Sequence, residues 1–184
     1  LKMGELVVDN LKVAMDIYYH YDPKKAELIN DNIVDLNERL IEEMSLNIML
    51  RERPFAKDLR TVSGILKLVE DIERLGDHAE DIKEFANKLI DVDHHNIPTL
   101  DESYKEAIKM VLDSILSFVN SDIKLAQEII KNDDKVDNLY NQTIQYIIDK
   151  TIDNTFSPSF SVYTTLVSKY IERIADHAVN IAEW

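Results

Sequence analysis

The chain has 184 residues, 45% of them hydrophobic and 30% charged, a balance that supports a packed core and excludes a disordered polymer. Its formal net charge of −14, from 21 Lys and Arg against 35 Asp and Glu, argues against binding to nucleic acid or to an anionic membrane surface. Cysteine is absent, which removes disulfides, thiolate catalysis and cysteine-ligated zinc or iron–sulfur sites, while three glycines and four prolines are too few for the turns of a β-rich fold.

An all-α chain is therefore expected, and the prolines divide it into six long helices. The first covers roughly residues 2–20. Asp22-Pro23 reads as an N-cap followed by N1, where proline's missing N–H costs nothing, and opens a second helix over roughly 23–51. Pro54 opens the third, over roughly 54–92. Its apolar residues Leu68, Ile72, Leu75, Ala79, Ile82, Ala86 and Leu89 alternate spacings of four and three, the heptad stripe of helices packed side by side. The segment His94–Pro98 reads as a linker. The fourth and fifth helices are expected over roughly 99–120 and 122–153. Ser157-Pro158 caps a sixth, over roughly 158–184, whose stripe is Val167, Ile171, Ile174, Ala178 and Ile181. No apolar run approaches the roughly 20 residues of a membrane span, and nothing resembles a signal peptide, so a cytoplasmic location is expected. Leu1 and Trp184 both stand inside helical patterns, and the chain is expected to lack its natural ends.

The third and sixth helices carry the same motif. Residues 72–82, IERLGDHAEDI, and 171–181, IERIADHAVNI, are identical at seven of eleven positions, 99 residues apart. Shared apolar spacing alone would not reproduce the same Glu, Arg, Asp and His in the same order. A weaker echo links Asn30-Asp31 and Val34-Asp35 to Asn132-Asp133 and Val136-Asp137, offset by 102. The chain is a tandem duplication, with a first three-helix bundle over 1–93 and a second over 98–184, related by pseudo-symmetry.

Each copy repeats an acidic constellation. Glu73 and Asp77 stand four residues apart on one helix face, continued by Asp81; Glu172 and Asp176 match them, followed by Asn180. The row lies nearly opposite the apolar seam, so it points outward from the bundle. Like charges at this spacing cost a few tenths of a kcal/mol each unless cations or basic partners offset them. The plain reading is a solvated face. The chemical reading is metal binding through oxygen ligands, which suit magnesium, manganese and iron. Further ligands are then expected from Asp31 and Asp35, with Glu38 and Glu42, and from Asp133 and Asp137 beside Asp134, if the helices that carry them pack alongside. His78 and His177 are expected to bond or pack against a neighbouring helix rather than to ligate. No phosphate loop, nucleophile elbow or His-Glu-x-x-His appears, and the chain is not expected to be an enzyme.

At these residues the chain resembles the PhoU family of phosphate-uptake regulators. The stretches Glu73–Ala79 and Glu172–Ala178 look like its two signature helices. Arg53–Arg60 resembles the approach to the first, and Asn132–Asp137 the acidic segment before the second. The resemblance spans essentially the whole chain. It implies two three-helix bundles of six long helices, and metal ions (iron, zinc, manganese or magnesium) held on the bundle surface at Glu73 and Asp77 and at Glu172 and Asp176. It also implies a non-enzymatic adaptor that restrains phosphate uptake and the phosphate regulon. The partners implied are the phosphate transporter's ATPase subunit and a membrane sensor histidine kinase, with the membrane reached only through them and a homodimer as the assembly. Two alternatives stay open: an accessory domain of another transporter or channel, and a metal-dependent phosphohydrolase.

Overall fold

The structure, a computed structural model, describes residues 1–52 and 55–184, without the Asp31 side chain. Among these residues every element is helical: α1 (Lys2–Tyr19), α2 (Pro23–Ala26), α3 (Asp31–Arg51), α4 (Ala56–Lys88), α5 (Pro98–Asn120), α6 (Ile123–Ile152) and α7 (Pro158–Glu183). The expected start of a helix at Arg53-Pro54 lies outside the described residues. Asp122 caps α6 by accepting from the amides of Lys124 and Leu125, and Ser157 caps α7 by accepting from Phe160.

The helix expected over 23–51 is interrupted. Asp22 accepts from the Lys24 amide and starts a single turn, which closes when the Leu28 amide donates back to the Lys25 carbonyl, three residues earlier. Asn30 then takes an extended backbone and α3 begins again. The break lets Ala26, Ile29 and Val34 all enter the core, where an unbroken helix would aim Val34 about 140° away from Ile29. Burial of Ile29 and Val34 outweighs the few backbone hydrogen bonds that continuity would add.

The heptad stripes form the centre of the molecule. Leu68, Ile72, Leu75, Ala79, Ile82, Ala86 and Leu89 are all buried, as are Val167, Ile171, Ile174, Ala178 and Ile181. α4 packs on α1, α7 packs on α5 and α6, and α4 and α7 pack on each other, so both repeats share one continuous core. Other contacts fasten the repeats at the edges. The hydroxyls of Tyr18 and Thr164 lie 2.8 Å apart, and Tyr19 donates to Asp101. α1 approaches α5 so closely at Gly4 that a Cβ there would stand 2.7 Å from Cδ1 of Ile115.

The two bundles are not equally closed. In the second, α5, α6 and α7 all pack on one another, and α6 buries Ile129, Val136, Leu139, Thr143 and Ile147. In the first, α3 lies along α4 but touches α1 only briefly, and its inward face offers Val34, half-buried Ile41 and Ser45. At the offset of 102, Leu139 and Ile147 correspond to Asn37 and Ser45, so α3 has less apolar surface with which to hold its bundle shut.

Candidate functional site

In the second repeat the expected carboxylates do converge. α7 turns Glu172 and Asp176 toward the α6 edge that carries Asp133 and Asp137, because the seam residues Ile171, Ile174 and Ala178 must face inward. The Asp133 carboxyl is pushed up to about 6, first by burial and then by the negative charges of Asp137, Asp176, Asp134 and Glu172. One of its oxygens is buried without a hydrogen-bond partner. Asp176, at the exposed rim, is raised by desolvation and by Glu172, with Lys169 opposing. Lys169 donates to Glu172 and sits over the Tyr140 ring, 5.3 Å from its centroid, which supplies one positive charge to a cluster of five carboxylates.

The first repeat builds a more open version. Glu38 and Glu42 from α3 and Glu70 and Glu73 from α4 line a groove of about 1110 Å³, with Arg60 and Arg74 on its walls. The Glu38 carboxyl is raised by burial and then by Glu42, Asp35 and Glu70, which places Asp35 in the same field. Lys67 pairs with Glu70 at 3.1 Å, and the Arg74 guanidinium lies 3.8 Å from Glu73. Asp77 is one turn further along α4, half-buried. Asp31 opens α3, and its side chain lies outside the described residues.

The third position of each row also reaches across to the other repeat. Asp81 accepts a hydrogen bond from the Tyr170 hydroxyl on α7 and lies 3.7 Å from Nδ1 of His78. Its counterpart Asn180 donates to Asp71 on α4 at 3.3 Å. The histidines follow the same rule. His177 Nδ1 is 2.9 Å from Asp71, while His78 stands edge-on to Tyr170, ring centroids 5.1 Å apart. Asp71 and Tyr170 are themselves equivalent, 99 residues apart. Each motif helix thus uses its Asp/Asn and its His to grip the same heptad position of the other, and the two imidazoles meet at 5.3 Å. His78 is buried with neither ring nitrogen hydrogen-bonded, and burial, then His177, Arg173 and Arg74, hold it down at about 4. The histidines therefore pack and bond between helices, as the sequence predicts.

Sequence reasoning missed Asp71, which also accepts from Nε1 of Trp184 at 3.3 Å. Its signal was available in principle, one heptad before His78, but the partner position holds Tyr170 and so breaks the pattern. Chemically, the two rows are dense oxygen-donor surfaces. Among the described residues no group of three or more His, Asp or Glu side chains is already posed around one point to hold an ion. No described helix is long and apolar enough to cross a membrane.

The family model described as the PhoU domain matches residues 1–86 and again 100–184. A protein of Aquifex aeolicus named as a phosphate-specific transport system accessory protein PhoU homolog is 35% identical, over 94% of this chain and 80% of its own length. One of the same name from Clostridium acetobutylicum is 30% identical over 100% of this chain and 85% of its own. Among solved structures, PhoU from Pseudomonas aeruginosa superposes with a TM-score of 0.92 at 28% identity, covering 100% of this chain and 90% of that one. The phosphate transport system regulatory protein PhoU from Streptococcus pneumoniae gives 0.90 at 25% identity, covering 99% and 87%.

Proposed function

The chain belongs to the PhoU family, and from that premise we propose that it is a cytoplasmic, non-enzymatic accessory of a phosphate transport system, holding metal at its acidic rows and restraining phosphate uptake. The observation that carries the metal reading is the second-repeat cluster. Asp133 is pushed toward neutrality first by burial and then by four neighbouring carboxylates, and it keeps a buried oxygen without a partner. A carboxylate cluster under this self-repulsion gains most from a cation, and donors that are all carboxylate oxygens favour magnesium, manganese or iron over zinc. Glu172, Asp176, Asp133 and Asp137 would hold the ion in the second repeat; Glu73, Asp77 and Asp35, with Asp31, would do so in the first. When bound, the metal supplies positive charge that neutralises the rows. Asp81 is assigned to the contact between repeats rather than to the ion.

The adaptor role follows from the same premise. The relatives' shared name describes an accessory protein, and the two repeats, 1–93 and 98–184, offer two unlike faces for two partners. The transporter's ATPase subunit and a membrane sensor histidine kinase are the partners proposed, with a homodimer as the assembly. Elemental analysis of the purified protein tests the sites. Glu73→Gln/Asp77→Asn and Glu172→Gln/Asp176→Asn should each lower bound metal, with the second pair losing more because its cluster is tighter. Unchanged metal in both double variants would remove the assignment.

A further inference from the structure

The groove between α3 and α4 carries a row of cations beside its glutamates. Arg60, Lys67 and Arg74 stand seven residues apart on α4, within about 40° of helix circumference, and all three line the groove. The duplication supplies an internal control. At the offset of 99, α7 carries Ser159, Leu166 and Arg173, so the second repeat keeps one cation of the three. The lining differs too, with Ser63 and Gly64 leaving space where α7 has Val162 and Tyr163. The fold therefore does not demand the cationic row.

The row is loosely engaged. Among the described residues Arg60 forms no ion pair, and the Arg74 guanidinium is 3.8 Å from Glu73. Lys67 pairs with Glu70 at 3.1 Å and lies over the Trp184 ring, 5.9 Å from its centroid, which keeps its ammonium at the groove. Both acidic partners belong to the field that a metal would neutralise, since Glu73 is a proposed ligand and Glu70 acts with Asp35 on Glu38. Five glutamates line the groove against these three cations, a surplus of two negative charges that one divalent ion cancels. Without metal the groove repels anions. With metal it presents three cations beside an ion that has room for ligands from elsewhere, because among the described residues no three acidic or histidine side chains already surround one point.

Size decides which anion. The row is about 21 Å long, with its cations about 10 Å apart along the helix. The groove beside it holds about 1110 Å³. A single phosphate fills a small part of that space and meets few of the cations, whereas a chain of phosphates meets several. Guanidinium groups fork onto phosphate oxygens, and hard divalent ions bind through one or two carboxylates plus phosphates.

We propose that the first-repeat groove binds an oligophosphate, a diphosphate or longer, with the metal on its glutamates and Arg60, Lys67 and Arg74 against its phosphates. This rests on the metal reading of Glu73 and Asp77. By linkage, metal and oligophosphate raise each other's affinity by the same factor. The second repeat, with Ser159 and Leu166 in place of Arg60 and Lys67, holds metal alone.

Titration calorimetry with manganese in excess tests this, the probes being inorganic triphosphate, ATP and orthophosphate. Triphosphate should bind at least about 10-fold more tightly than orthophosphate, and at least about 10-fold more weakly to metal-stripped protein. Arg60→Gln/Lys67→Gln should weaken triphosphate binding about 10-fold or more at unchanged manganese content, while Lys12→Gln, at an exposed cation on α1, should not. Arg60→Gln alone, at an exposed residue, should weaken it several-fold and keeps the test open should the double variant misfold. Glu73→Gln/Asp77→Asn should abolish binding, and Glu172→Gln/Asp176→Asn should leave it. ATP binding more tightly than triphosphate assigns the site to a nucleotide; ATP binding no more tightly assigns it to an inorganic chain. Manganese-loaded protein that ignores both, binds orthophosphate as tightly, or is indifferent to both cation variants overturns the proposal and leaves the metal sites standing. Protein that takes up no manganese removes the metal reading as well.

Discussion

The two repeats share a motif at seven of eleven positions, yet one bundle is shut and the other stands ajar. α6 closes the second with Leu139 and Ile147, where α3 has Asn37 and Ser45. The outward faces differ in the opposite sense, polar on α6 and apolar on α3. Duplication fixes which positions face where; the residues at those positions divide apolar surface differently between the inward and outward sides of each helix. The same divergence separates the acidic sites, a compact cluster between α6 and α7 against an open groove between α3 and α4.

The strongest way to break this contrast is to give α6 the residue of α3. Ile147→Ser removes a fully buried side chain and introduces a hydroxyl, and should cost about 3–4 kcal/mol in urea unfolding. A loss below about 1 kcal/mol would mean that α6 is not held by its apolar face. The unaltered protein offers a second test. Amide exchange should be at least about 30-fold faster along α3 than along α6, a local difference of about 2 kcal/mol. Equal protection would show that the first bundle is as firmly closed as the second.

The smallest effect concerns charge in the second cluster. The folded-state value of Asp133 is raised to about 6, above its ordinary value, so the folded protein binds that proton more tightly than the unfolded chain. Its favourable contribution is present in full below about pH 4 and is lost as pH rises through about 6. Metal-free Asp133→Asn should therefore be more stable than the parent at pH 7.5, by about 1–2 kcal/mol after solvent screening, with the gain fading below about pH 4. Melting curves at both pH values check it. A destabilised variant at pH 7.5 would mean that Asp133 is held by attraction rather than strained by burial and repulsion.

Much of the fold was legible because apolar periodicity is local. The heptad stripes, the caps at Asp22 and Ser157 and the duplication all follow from residues near one another in sequence. The break after Ala26 was not, because it depends on where Ile29 and Val34 find a core built by other helices. The site divides in the same way. The pairing of α6 with α7 carboxylates was accessible from spacing plus side-by-side packing. The bond of Asp81 to Tyr170 was not, since Tyr170 lies on the other repeat, and neither was Asp71, whose partners are His177 and Asn180 near the end of α7 and Trp184 just after it.

That reciprocal grip between α4 and α7 has the geometry of a two-fold interface, in which position i of one unit meets j of the other and j meets i. A single repeat with symmetric residues there would present a self-complementary face and would have to find its mate by diffusion. Joined in one chain by the short connection between α4 and α5, each face sees the other at an effective concentration on the order of millimolar. Once contact is guaranteed by covalent linkage, the two sides no longer need to be identical. Asp71 can face Asn180 while Tyr170 faces Asp81, and each half is free to specialise without the pair dissociating.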